Sequence, residues 1–175
     1  MIRRHVSNDN PVAMSYLGSY YQRGGLGLVP SHKKAVRLYQ RAADLGDASA
    51  MYSLGNAYMI GQGVKVDKKK TVKYFRMAAD RGHADAQCNL GDLIKDGDGV
   101  ATDHAEAVSF YKLAAEQGFT QAECRLGAAY QAGEGVAKDI AEAIRLWERA
   151  AAKGNETAIA ILALPGLPGI AASRG

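Results

Sequence analysis

The sequence predicts an all-α fold, an α/α superhelical solenoid of about four helical-pair repeats plus a partial fifth, and three observations carry that reading. Glycines recur at a step of 36, as Gly46, Gly82, Gly118 and Gly154, as Gly61, Gly97 and Gly133, and as Gly63, Gly99 and Gly135. Apolar residues keep the same step, with Leu54, Leu90, Leu126 and Leu162 in one column and Phe75, Tyr111 and Trp147 in another. Within each period the apolar residues fall three and four apart, the spacing of one helix face. A period of about twenty to fifty residues marks a stacked array, in which a unit too small to bury its own apolar faces hides them against its neighbours.

An N-terminal extension (1–9) precedes repeats at about 10–46, 47–82, 83–118 and 119–154, followed by a partial repeat (155–164) and a Pro/Gly-containing tail (165–175). In the first repeat Asn10 caps the first helix and Pro11 occupies its opening turn, where a missing N–H costs nothing. Its loop, Gly24-Gly25-Leu26-Gly27, is one residue longer than its counterparts, and Ser31 caps the second helix. In the second repeat Ala50, Met51, Leu54, Ala57 and Tyr58 define a helix over about 48–60, ended by Gly61-Gln62-Gly63, since glycine enters positive φ cheaply. Asp67 stands at an N-cap position, and Val72, Phe75, Met77, Ala78 and Ala79 make a second amphipathic helix that stops at Gly82. Asp103 and Asp139 repeat that cap, each with a glutamate three residues on, Glu106 and Glu142, which predicts reciprocal capping boxes. Ala42, Ala78, Ala114 and Ala150 let helices approach closely, while Tyr39, Phe75, Tyr111 and Trp147 fill the wider gaps. Asn155 to Leu164 reads as the first helix of a fifth pair, and the prolines and glycines of Leu-Pro-Gly-Leu-Pro-Gly prevent a second.

A hydrophobic content of 47% is ample for a core. The longest apolar stretch, Ala158 to Leu164, is far short of the roughly 20 residues that span a bilayer, so no membrane span is expected. Basic residues at the N-terminus lack the apolar run of a secretory signal, which places the chain, if complete, in the cytoplasm. Cys88 and Cys124 occupy equivalent positions of successive repeats, on helices on the order of 10 Å apart. A disulfide needs Cα atoms within about 7 Å, so two thiols are expected. The net charge of +4 conceals an asymmetry: residues 1–82 hold 14 Lys/Arg against 5 Asp/Glu, and residues 83–175 hold 8 against 13. In a stacked array this becomes a dipole along the molecule, favouring charged partners or head-to-tail contact. That asymmetry, or the leucines of the tail, offers a route to self-association.

The unit Ala-x-Ala-x-x-x-Leu-Gly-x-x-Tyr-x-x-Gly-x-Gly-Val, followed by Asp, an aromatic, Ala-Ala and Gly, strongly resembles the Sel-1-like repeat, a relative of the tetratricopeptide repeat. It reads Ala50, Leu54, Gly55, Tyr58, Gly61, Gly63 and Val64 in one copy, and returns through Ala86 to Val100 and Ala122 to Val136. The resemblance covers about residues 10–164, with Ile94 in place of the usual tyrosine and Thr71 in place of an alanine. It implies a non-catalytic scaffold or adaptor for a protein or peptide partner. Some secreted relatives hold each helical pair with a disulfide, a sub-pattern absent here.

Chemistry is not expected. Each Gly-x-Gly lies between two helices, whereas a dinucleotide fingerprint follows a strand. Asp96-Gly97-Asp98-Gly99 fails as a calcium loop because Val100 and Ala101 occupy ligand and glycine positions. His5, His32, His83 and His104 lie far apart in the sequence, and no catalytic motif, metal site or cofactor site is expected. By analogy with tetratricopeptide-like arrays, the first helix of each repeat lines a concave groove. The candidate partner-binding residues are therefore Gln22, Arg23, Tyr52, Asn56, Met59, Ile60, Asp85, Cys88, Asp92, Lys95, Asp96, Cys124 and Gln131. Met59 and Ile60 suit an apolar anchor, and Asp92 and Asp96 a basic one. The alternative is an electrostatic binder built on the basic ridge of Lys33, Lys34, Lys65, Lys68, Lys69, Lys70 and Lys73, which meets an acidic protein in preference to nucleic acid because no aromatic-interleaved RNA motif accompanies it.

Overall fold

The computed structural model describes residues 10–165, and every regular element among them is an α-helix. In chain order these are α1 (Pro11–Arg23), α2 (His32–Asp44), α3 (Ala48–Ile60), α4 (Lys68–Ala79), α5 (Ala84–Asp96), α6 (His104–Glu116), α7 (Thr120–Ala132), α8 (Ile140–Ala152) and α9 (Glu156–Leu162). The expected N-terminal extension and the tail beyond residue 165 lie outside the described residues.

The chain divides into two compact units, residues 1–86 and 87–175, with the boundary inside α5. In unit 1, α1 packs on α2, α2 on α3 and α3 on α4, and in unit 2, α6 packs on α7, α7 on α8 and α8 on α9. The predicted columns point inward: Leu54, Leu90 and Leu126 are buried, as are Tyr39, Phe75, Tyr111 and Trp147. Each such side chain contributes about 1.5–3 kcal/mol by leaving water. Leu162 is only partly buried, because α9 has no second helix among the described residues to close over it.

The packing explains a glycine column for which periodicity alone supplies no reason. A Cβ at Gly18, Gly91 or Gly127 would stand 2.6, 2.6 and 2.5 Å from the ring of Tyr39, Tyr111 and Trp147, and one at Gly55 would enter the Phe75 ring. The aromatic of each second helix therefore lies directly on the backbone of the first. Gly63 serves a different contact, since a Cβ there would be 2.6 Å from the carbonyl of His32, so the α3–α4 turn rests on the start of α2. In unit 2, Gly135 rests in the same way on His104.

Helix starts follow the expected caps, with side chains of Asn10, Ser31, Asp67, Asp103 and Asp139 accepting from the amide three residues on. The reciprocal half of the capping box differs from expectation. The backbone N–H groups of Asp103 and Asp139 donate to the carbonyls of Ile94 and Tyr130, at 3.3 and 3.0 Å, leaving no donor for a glutamate to reach back to. Glu142 instead takes a bidentate pair from Arg145 at 2.7 and 2.8 Å. Ser31 and Asp67 make the same bond, to Tyr21 at 2.7 Å and Tyr58 at 3.0 Å, so it clamps the turn of all four pairs.

Candidate functional site

The first-helix surface of unit 1 is set by α1 and α3. Met59 and Ile60 close the last turn of α3, and they are 41% and 56% exposed although both are apolar. Asn56 lies one turn earlier, half-buried, and Arg23 is exposed at the end of α1. Two of the expected contacts are committed within the fold. Tyr52 stacks on the buried Phe75 ring at 5.6 Å and on His83 at 4.6 Å, so its face is covered. Gln22 accepts from the Tyr39 hydroxyl at 3.0 Å and donates to Gln62 at 3.0 Å, bridging two turns.

Asp85 lies 3.9 Å from His83, whose Nδ1 accepts the Ala86 amide at 3.4 Å. Burial lowers the His83 pKa, against the pull of Asp85 and Asp47, so the imidazole is neutral near pH 7 and acts as a helix cap.

In unit 2 the candidate carboxylates are partly spoken for. The Tyr111 hydroxyl donates to Asp92 at 2.7 Å, and Arg125 Nε lies 3.1 Å from the same carboxylate. Burial, then the hydrogen bond and charge of Asp92, push the Tyr111 pKa well above its ordinary value, so the phenol stays a donor. A basic partner residue at Asp92 would therefore compete with Arg125. Asp96 is exposed and pairs with Lys95 at 3.2 Å. Cys88 and Cys124 are thiols, as expected, but both are buried, so as candidate contacts they drop out: small side chains at these places serve the core. Tyr111→Phe keeps the Asp92–Arg125 pair and removes one charge-assisted donor. It should lower unfolding free energy by about 1 to 2 kcal/mol, read from urea denaturation midpoints.

Lys95 and Gln131 do come together, on the walls of a cleft of about 290 Å³ floored by Tyr111 and Ala128 and edged by Arg125 and His104. Ala128 holds the place of Asn56 and Asp92 in the repeat, and its small side chain opens this space. At the corresponding place in unit 1 the Gln22–Gln62 bridge lies over Tyr39.

The structure adds a polar cluster that the sequence pattern does not announce. Glu123 is 0% exposed and accepts from Arg149 at 2.5 Å and Lys153 at 2.8 Å. Burial raises its pKa, but those hydrogen bonds and charges outweigh it, and the carboxyl titrates below its ordinary range. A signal is nonetheless visible down the repeat: the same buried position is Met14, Met51, Gln87 and then Glu123. Opposite it stand Gln117, which donates to Gln87 at 2.7 Å, and one repeat later Lys153.

The basic ridge is exposed throughout, at Lys33, Lys34, Lys65, Lys68, Lys69, Lys70 and Lys73. Three of these lysines lie over aromatic rings: Lys34 over Tyr21 at 5.2 Å, Lys70 over Tyr58 at 4.9 Å and Lys73 over Tyr74 at 5.8 Å. No helix among the described residues is long and apolar enough to cross a membrane.

A family model described as Sel1 repeat matches residues 11–47, 48–83, 84–119 and 120–155. Among solved structures, a Sel1 repeat protein from Oxalobacter formigenes is 35% identical, with a TM-score of 0.82, covering 86% of this chain and 59% of that one. A protective antigen present in uropathogenic Escherichia coli strains, displaying an SLR fold, is 36% identical with a TM-score of 0.85, over 90% of this chain and 33% of that one. Helicobacter pylori cysteine rich protein B is 26% identical with a TM-score of 0.59, over 74% of this chain and 92% of that one. The chain thus spans 59% and 33% of the lengths of the first two. No curated protein matches it.

Proposed function

Because the chain belongs to the Sel1 repeat family, a helical-repeat solenoid, we propose that it is a non-catalytic scaffold that captures a peptide or protein segment on the first-helix surfaces of its repeats. Sel1 repeat proteins are generally protein-interaction scaffolds, and the family is typically non-catalytic. The observation that carries the reading is the adjacent apolar pair Met59 and Ile60, 41% and 56% exposed at the end of α3. A flexible thioether beside a branched aliphatic side chain adapts to an apolar partner residue. The open cleft of unit 2 supports the same reading, since its volume admits one partner side chain.

The test compares proteins captured by the wild type with those captured by Met59→Asp/Ile60→Asp, identified by mass spectrometry. Both side chains are partly covered and a carboxylate in a last turn opposes the helix dipole, so a loss of about 1–2 kcal/mol is expected, small enough to leave the chain folded. Loss of specific captured proteins by a variant that circular dichroism shows to be folded is the expected result, and identical capture by both chains would refute the assignment.

A further inference from the structure

The turn edge of the repeats, where each first helix ends and the second begins, carries opposite charge in the two units. In unit 1 the segments 24–34 and 61–70 hold six lysines against Asp67 alone. In unit 2 the matching segments, 97–106 and 133–142, hold six carboxylates against Lys138 alone. The sign inverts position by position: the third residue of the second helix is Lys34 and Lys70 in unit 1, and Glu106 and Glu142 in unit 2.

A glutamate there complements the positive end of the helix dipole, whereas a lysine opposes it. The helix dipoles of unit 1 thus do not account for lysine at this position. The carboxylate contact of Lys70 is with the capping Asp67, at 3.9 Å between partly exposed groups, a pair that contributes little. Tyr21 and Tyr58 lie beneath Lys34 and Lys70 and hold both ammoniums at the surface. On unit 2, Asp96 is exposed at the end of α5 and Glu134 on the turn that follows α7.

We propose that the chain associates with a second copy of itself through these edges, the lysine edge of unit 1 in one copy meeting the carboxylate edge of unit 2 in the other. Charge complementarity selects the occupant: the chain that carries the basic edge also carries its acidic counterpart. A contact of this kind steers encounter and weakens steeply with salt. Apart from Asp96 at the end of α5 it uses none of the candidate first-helix contacts, and its readout is self-association and not partner capture, so it stands or falls separately from the scaffold reading.

Sedimentation velocity of the whole chain at about 0.01 M and about 1 M salt, where the screening length is about 30 Å and 3 Å, provides the test. Association at low salt that reverts to monomer at high salt is expected. Lys33→Glu/Lys34→Glu/Lys69→Glu reverses one edge, and Asp96→Lys/Glu134→Lys weakens the other. Each variant alone should associate at least about tenfold more weakly, and an equimolar mixture should recover association, because each retains the edge the other has lost. Unfolding midpoints at or above wild type for the first variant confirm that its new helix-start glutamates leave the fold intact. A wild type that is monomeric at low salt, or association indifferent to both variants, overturns the proposal. So does salt-sensitive retention of a monomeric wild type on mixed-sequence DNA that Lys33→Glu/Lys34→Glu/Lys69→Glu abolishes, which would make the ridge a nucleic-acid surface.

Discussion

Trp147→Ala should cost about 3–5 kcal/mol of unfolding free energy, the largest loss expected from any single substitution in the chain. The ring is fully buried, it lies on the backbone of α7 at Gly127, and its Nε1 donates to the Cys124 carbonyl at 3.2 Å. Removing it empties the cluster it shares with Ala143, Ala150 and Ala158, and leaves a buried carbonyl without that donor. The reverse error is smaller: Gly127→Ala forces a methyl to within 2.5 Å of the same ring and should cost about 1–3 kcal/mol through overpacking. Thermal or urea unfolding followed by tryptophan fluorescence reads the glycine variant, and circular dichroism reads both. Equal and small effects would mean that the ring and the glycine are not in contact in solution.

The second large effect requires two substitutions. Arg149→Met/Lys153→Met leaves Glu123 fully buried with no cation, and should cost about 3–5 kcal/mol, the penalty of an uncompensated buried charge. Adding Glu123→Met should restore most of that loss, because a methionine fills the equivalent buried position at Met14 and Met51. A double variant as stable as the wild type would show that the cations do not hold the carboxylate.

The same cluster predicts acid sensitivity. Its folded pKa lies below the unfolded value, so Glu123 contributes stability that is fully present above the ordinary carboxylate range and disappears as pH falls through the folded value. The unfolding free energy of Glu123→Met/Arg149→Met/Lys153→Met should accordingly fall less steeply than that of the wild type below about pH 4.3.

Helix positions were legible because their signals are local. Asn10, Ser31, Asp67, Asp103 and Asp139 announce helix starts by side-chain chemistry that acts over three residues, and the leucine and aromatic columns announce faces by period. What escaped was decided between elements. Glu106 and Glu142 satisfy the spacing of a capping box, yet a carbonyl of the preceding helix had already taken the amide. Tyr52 and Gln22 sit at surface phases of their helices, but a ring from α4 and a side chain from the following turn occupy them. Asp92 reads as a free carboxylate until Arg125, one repeat later, is placed beside it. Glu123 was hidden for the opposite reason: a glutamate in a small-residue motif reads as solvated, and only comparison of the same buried place from repeat to repeat, together with Lys153 thirty residues on, reveals an internal ion cluster.

The clamp that ties each second-helix cap to the carbonyl of its own first helix has an evolutionary corollary. With the backbone of the turn held at both ends, residues such as Lys65 and Glu134 are released from any duty to shape it, and their sign can be rewritten without remodelling the frame. The framework thereby separates architecture from address: one rigid hinge pattern can be copied along a gene while each copy acquires its own electrostatic label.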